Sequence, residues 1–455
     1  MEICSRAGMK SLFRLFLRAW PKISAFSLGL LKNDHELISP SLMEEATVNK
    51  DTLELPVEIL SEIFALLEIP DLVRAGCVCS SWHTAYTSLR SSGWYSRQQT
   101  PCLLYISESA GDDVACLYSL AEERVYKLTL PKPPIRSRYL IGSSNGWLVT
   151  ADERSELHIV NPITGEQIAL PSVTTIKQVK PIFDDTGAIQ EYELSQYFGE
   201  VVTKDPFTYA LRDLRDNLYV KAFVFSESST GTNIVVLIHD PFCQLSFARA
   251  GDSEWTWLPP SANYEDCLYG NGLLYAVTST GGIDAFDLTG PSILWKVIMD
   301  GLKNYIFESI YIVQTPSGDL LQVWREQDVV PEGDDTDLDS CDMVKKTNKI
   351  MIYKVHMATK ELVEINSLQG HALFLGHSLA HCLPVEEYPQ LKSNHVYLTD
   401  NDRAIMVWKS DRRDICVFNL ESNIREEIVP PHLCSWPAPI WITPTLTKLN
   451  SAFKN

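Results

Sequence analysis

The sequence predicts an α+β multidomain protein: a small three-helix module near the N-terminus, followed by an all-β, propeller-like domain of about six blades. Three observations carry this expectation. Over residues 52 to 92, apolar side chains recur at the three-and-four spacing of helices, punctuated by prolines and capping residues. From about residue 101 the pattern changes to short β-branched and aromatic runs between Gly, Pro, Asn and Asp. These runs recur in loose units of roughly 45 to 80 residues, the size of a propeller blade with loop insertions.

The 455 residues carry 39 Lys+Arg against 58 Asp+Glu, a formal net charge of −19. A nucleic-acid binder needs a basic stripe to displace counterions, and the basic dipeptides after the N-terminus, Lys345-Lys346 and Arg412-Arg413, are too sparse to supply one. With 45% hydrophobic and 21% charged residues, the composition is that of an ordinary folded protein. Eleven cysteines contain no C-x-x-C pair, and no N-x-Ser/Thr sequon occurs. Both facts point to reduced thiols in an intracellular protein.

Residues 1 to 50 read as a basic, disordered leader. Within residues 1 to 33 lie Arg6, Lys10, Arg14, Arg18, Lys22 and Lys32 against the single acid Glu2, so the remainder holds 33 basic and 57 acidic residues, a net of −24. Arg14, Arg18, Pro21 and Lys22 interrupt the apolar run of Ser11 to Leu31 before it reaches membrane-spanning length. The composition also suits an organellar transit peptide or a basic surface helix, while Met43 offers an alternative start that would make the leader dispensable.

The helical module is expected over residues 51 to 93. Its first helix carries Pro56 in its first turn, where a missing N–H would be unpaired anyway, and turns Ile59, Leu60, Ile63, Phe64 and Leu67 to one face, with Glu58 near the positive end of the helix dipole. It should stop before Pro70, leaving Asp71 to cap a second helix through Leu72, Val73 and Ala75. A third begins after Ser80, with Trp82, Ala85, Tyr86 and Leu89 as its apolar face, and ends at Ser91-Ser92-Gly93. Three short helices make a core too small to be robust alone.

The pattern Leu55-Pro56-x-Glu58-Ile59-Leu60, Ile63-Phe64, Leu67, Asp71-Leu72, Val78-Cys79 and Trp82 resembles the F-box. That resemblance implies docking onto a Skp-type adaptor, and through it onto a cullin and the ubiquitin-transfer machinery. It also implies the adaptor-facing residues: Leu55, Pro56, Ile59, Leu60, Ile63, Leu72, Val78, Cys79 and Trp82. Ser81 departs from the pattern, since the family often has a basic residue before the tryptophan. The plainer alternative is a helical subdomain packed on the rest of the chain, and under either reading some of these side chains face inward.

The propeller-like domain is expected over residues 101 to 447, with a short tail at 448 to 455. Representative strands are Trp147 to Thr150, Leu157 to Val160, Ala222 to Phe225, Ile234 to Ile238, Leu273 to Val277, Tyr311 to Val313, Leu320 to Trp324, Ile350 to Val355 and His395 to Leu398. Residues 326 to 342 hold eight acids and read as a solvated loop insertion. The stretches Asn145-Gly146-Trp147-Leu148, Asn161-Pro162, Leu170-Pro171, Ala372 to Gly376, Asn394 to Asp400 and Pro437 to Pro444 resemble the C-terminal, kelch-like domain of a large plant family of F-box proteins. Trp255, Trp257 and Trp324 read as strand-packing residues.

Candidate catalytic and metal motifs are weak. Gly142-Ser-Ser-Asn-Gly146 matches a nucleophile elbow in form, but a strand rather than the required helix is expected after Ser144. His371, His377, His381 and Cys382 cluster, with Ser378 where a zincin would have its glutamate. Asp335, Asp337 and Asp339 begin like a calcium loop, yet Ser340 stands at the turn glycine and Lys346 at the twelfth position. The expectation is a non-catalytic protein with no cofactor or metal, and the resemblance makes it the substrate-recognition subunit of a Skp–cullin–F-box ubiquitin ligase with an unknown protein target. Its place would be the nucleus or cytoplasm. The alternative is a propeller interaction protein outside any ligase, directed to an organelle by the basic leader.

Overall fold

The computed structural model describes residues 55 to 446, apart from 93–94, 96, 98, 199–200, 228–230, 261–262, 291, 303–307, 332–342, 401–413, 429–432 and 435. The expected leader and tail, and the tip of the acidic insertion, lie outside the described residues. Two compact units divide at Gln99 and Thr100.

The first unit holds helices α1 (Val57–Phe64), α2 (Ile69–Gly76) and α3 (Ser80–Ser92). Glu58 is in the first turn of α1 as expected, while Pro56 stands one position earlier than expected, at the N-cap. The start of α2 differs. It begins at Ile69, placing Pro70 in the first turn, where a missing N–H leaves no bond unmade. Asp71 is therefore not the cap but a first-turn acid, paired with Arg74. Distant residues do the capping: Gln99 Oε1 accepts from the Ile69 N–H at 2.6 Å, while Tyr95 Oη, held by Gln99 Nε2 at 2.7 Å, donates to the Leu67 carbonyl at 2.5 Å. The rings of Phe64 and Trp82 meet edge to face at 5.4 Å, joining α1 to α3. Gly76 lies under Tyr86, where a Cβ would come within 2.7 Å of the ring.

The second unit is a ring of antiparallel sheets. Blade one contains β1 (Cys102–Ser107), β2 (Val114–Ser119) and β3 (Arg124–Thr129), and blade two β4 (Tyr139–Ser144), β5 (Trp147–Ala151), β6 (Leu157–Val160) and β7 (Gln167–Ala169). An unforeseen three-stranded sheet follows, β8 (Val179–Phe183), β9 (Ile189–Phe198) and β10 (Val201–Ala210), then helix α4 (Leu211–Leu218). Blade three is β11 (Tyr219–Ser226), β12 (Asn233–His239), β13 (Gln244–Arg249) and β14 (Thr256–Leu258). Blade four is β15 (Tyr264–Gly270), β16 (Leu273–Thr278), β17 (Ile283–Asp287) and β18 (Leu294–Met299). Blade five is β19 (Ser309–Gln314), β20 (Leu320–Pro331), β21 (Met343–His356) and β22 (Glu361–Ile365).

The sixth blade is irregular. Its strands β23 (His371–Leu375), β24 (His381–Pro384), β25 (His395–Leu398), β26 (Cys416–Asn419) and β27 (Ile424–Glu427) run in the order β24-β23-β25-β26-β27, with β23 parallel to β25. Two short C-terminal strands, β28 (Leu433–Cys434) and β29 (Ile440–Ile442), pair with β1 and close the ring, with Leu103 opposite Trp441.

Burial explains the two kinds of strand in the sequence. Inner strands such as β4 and β12 are buried along their whole length and read as unbroken apolar runs, whereas the outer β18, β22 and β27 are largely exposed and mixed in character. The ring runs from β29 through β4, β11, β15 and β19 to β24. Because β4 packs directly on β11, the sheet of β8 to β10 stands outside the ring. Its Tyr192 and Leu194, with Leu214 and Leu218 of α4, join the core around Trp147. The acidic insertion is shorter than expected, since residues 326 to 331 continue β20 and pair with β21.

At Gly142 strand β4 passes very close to β11, a Cβ there falling 2.0 Å from the Ala222 carbonyl oxygen. The Gly142→Ala variant should therefore force β4 away from β11 at a cost of about 1–3 kcal/mol. A thermal melt followed by circular dichroism should show a midpoint several degrees below that of the parent; an unchanged midpoint would contradict the close approach.

Candidate functional site

The helical module sorts the nine sequence-predicted residues by depth. Leu60, Ile63 and Leu72 are buried, so they hold the module together. Leu55, Ile59 and Trp82 are half-buried, and Pro56, Val78 and Cys79 are exposed. Val78 lies in the short connection between α2 and α3, flanked by exposed Cys77 and Cys79. Leu66 and Val73 are further exposed apolar residues. Leu66 lies in the turn that follows α1, and Val73 lies on α2 next to buried Leu72, off the inward face of that helix. The module thus displays Pro56, Leu66, Val73 and Val78 to solvent, which suits a protein partner better than a small ligand.

The propeller unit contains two buried ionic centres. In the first, Lys221 Nζ donates to Asp266 Oδ1 at 2.8 Å and to the Gly376 carbonyl at 3.1 Å, while Asp266 Oδ2 accepts from the Ile312 N–H at 3.0 Å. The β23–β24 turn also donates the Leu379 N–H to the Ser143 carbonyl at 2.8 Å. Burial pushes the Asp266 carboxyl up despite Lys221, and raises neighbouring Glu265 to about 7. In the second, Asp414 sits between two guanidiniums. Arg325 Nη2 reaches Asp414 Oδ2 at 2.8 Å, and Arg425 holds Oδ1 through Nε and Nη2 at 3.0 and 2.8 Å. The Thr347 hydroxyl accepts from Arg325 Nε and donates to Asp414. Both centres bind strands of different blades to one another.

The candidate chemistry falls into place as structure. Ser144 ends β4 and pairs with Trp147 across a two-residue turn of Asn145 and Gly146, at φ of 50° and 83°. A hairpin of this kind favours Asn-Gly, and the helix of a nucleophile elbow does not follow. His371 lies opposite Pro384, and His381 opposite Phe374, so these rings are staggered along the β23–β24 hairpin. Among the described residues no three His, Cys, Asp or Glu groups converge as metal ligands. Asp335, Asp337, Asp339 and Ser340 lie outside the described residues, and Lys346 is on β21 opposite Asp328. Trp255 and Trp324 are buried. Among the described residues no helix is long and apolar enough to cross a membrane.

Comparison with known proteins meets this architecture from outside. The description "KIB1-4 beta-propeller" matches residues 117–419, and "F-box-like" matches residues 52–89. The chain belongs to the KIB1-4 beta-propeller family. The Arabidopsis thaliana protein named F-box protein At5g25290 is 26% identical over 424 residues, covering 86% of this chain and 96% of that one. The F-box/kelch-repeat protein At1g57790 of the same plant is 35% identical over 121 residues, covering 26% of this chain and 32% of its own. This KIB1-4 protein therefore combines an F-box-like module with its propeller, an arrangement that implies Skp-type adaptor binding and a substrate-recognition role in general terms.

Acid should test the second ionic centre. Burial raises the Asp414 carboxyl, but Arg325, Thr347 and Arg425 outweigh it and hold the group at about 2. A carboxyl depressed below its unfolded value, about 3.9, stabilises the fold above that value and loses this contribution as pH falls through the folded one. Denaturant unfolding between about pH 5 and pH 2 should reveal a loss of roughly 2–3 kcal/mol from this group. The acid slope should be shallower in Asp414→Asn.

Proposed function

We propose that this KIB1-4 protein is the substrate-recognition subunit of a Skp–cullin–F-box ubiquitin ligase. The observation that carries the reading is the helical module, which matches the F-box pattern and leaves apolar Pro56, Val73 and Val78 exposed to solvent. Covering those side chains with an adaptor would remove apolar surface from water. The propeller then holds the target, and the chain contributes proximity rather than bond chemistry, by raising the target's effective concentration near the ubiquitin-carrying subunits. F-box proteins are typically non-catalytic adaptors of this kind. The same reading puts the protein to work in the nucleus or cytoplasm, where cullins act. A propeller interaction protein in an organelle is the second reading, favoured only by the basic composition of residues 1 to 33. A reporter fused to residues 1 to 42 that is imported by an organelle would support it.

The primary test is co-purification of the full chain with a Skp-type adaptor. Val78→Asp should weaken binding at least tenfold, about 1.4 kcal/mol, with an unchanged propeller melt. Leu60→Asp should also abolish binding, but by unfolding the module, seen as lost helical signal. An intact chain that does not bind the adaptor would refute the ligase reading.

A further inference from the structure

The sheet of β8 to β10 exposes more apolar side chain than its structural position requires. Phe183 is 58% exposed, Val201 68%, Val202 51% and Phe207 50%. The sheet lies outside the ring, so blade closure does not account for it. Its order is β10-β9-β8, so among the described residues β10 has a strand partner on one side only and its other side is an edge. Beyond Ser195, whose N–H still donates to the Gln178 carbonyl at 2.8 Å, the β9 strand pairs with β10, forming a two-stranded ribbon that ends near Val201 and Val202.

Topology puts this edge at a definite end of the propeller. In an antiparallel blade, the connection entering the first strand and the hairpin between the second and third share one end. That end carries the long connections, residues 170 to 218 and the extended β20–β21 hairpin. The opposite end carries tight turns such as Asn145-Gly146 and Asn271-Gly272. The chain enters the propeller there, because β1 is the second strand of its blade, after β29. The inserted sheet is thus remote from the point of entry. It borders blade three, where Gln244 Nε2 donates to the Tyr197 carbonyl at 2.8 Å and Phe242 is 39% exposed.

The occupant can be narrowed by shape and charge. Residues 171 to 218 hold eight acids against five bases. Of the five, Lys177 lies 4.3 Å from the Trp257 ring, Lys180 pairs with Glu193 and Arg215 is buried. A second copy would bring the same excess of acid. Its β10 edge would also be broken by the register shifts around Lys204 and by Pro206, which blunt self-pairing. The uninterrupted stretch from Phe207 to Ala210 remains a short template for a different strand.

We propose that the outer edge of β10, from Phe207 to Ala210 and flanked by Val201 and Val202, docks the target by accepting a basic, extended segment of it as a fourth strand. This deepens the recruiting role proposed above and rests on it. Main-chain hydrogen bonds supply affinity in such strand addition, alternate side chains supply specificity, and the acidic surround favours Lys and Arg.

The probe is a displayed library of random unstructured peptides, selected on the full chain. Enriched peptides should alternate aliphatic with basic residues, and their affinity, read by fluorescence polarisation, should fall as salt rises. Phe207→Asp and Val202→Asp should each weaken an enriched peptide at least tenfold. Leu294→Asp, on the exposed outer edge of blade four, should leave it unchanged. Phe207→Ser, checked by thermal melt, guards against misfolding. No enrichment, enrichment without basic residues, or equal loss in Leu294→Asp would overturn the proposal. Adaptor co-purification in the same variants separates the two readings: retained adaptor with no peptide sinks this edge alone, and peptide binding without adaptor sinks the ligase alone.

Discussion

A single buried ammonium group ties together the middle of this propeller. Lys221, only 6% exposed at its side chain, joins Asp266 of the next blade to the turn of the sixth, and Asp266 in turn grips the backbone of the fifth. Such a pair is weak evidence of net stability, because removing both charges from water offsets much of their attraction. Its value lies in position. Each partner would be left as an uncompensated buried charge if a blade shifted, at a cost of about 3–5 kcal/mol. Blades three to six are held in one mutual arrangement by that penalty, and the loops they carry inherit it.

Depth within the structure also decides what the F-box-like residues can do. A motif records both the side chains that build a small domain and those that it presents, and the two are interleaved along the chain. Here Leu60, Ile63 and Leu72 build, while Pro56 and Val78 present. The exposed Leu66 and Val73 extend the presenting surface. Val73, one position past buried Leu72 on α2, is turned by about 100° from it and faces water, while Leu66 lies in the turn after α1.

Much of this was legible in the sequence because its physics is local. The Asn145-Gly146 turn follows from the left-handed backbone that a two-residue hairpin needs, and inner strands announce themselves as unbroken apolar runs. What escaped depended on distant partners. Asp71 looks like a helix cap, but Gln99 reaches back across the module to satisfy Ile69. The β10 strand mixes Val, Lys, Asp, Pro and Tyr without clear alternation, since an edge strand outside the ring is not required to be apolar on either side. Helix α4 has eight residues, too few for its periodicity to stand out from noise. In the F-box-like module the resemblance supplied the residues, while only their burial in the folded module sorts inward from outward.

Ring closure through β29 has a temporal meaning. Leu103 is made well before its partner Trp441, with the rest of the ring between them. Joining strands so far apart in the chain carries a loop-closure entropy of roughly 5 kcal/mol before any constant. Throughout translation, the apolar inner edge of blade one therefore waits without its final strand. A truncation or frameshift that removes residues 440 to 442 would therefore leave an open ring however completely the six blades before it had formed, so the integrity of the whole propeller hangs on three residues of β29.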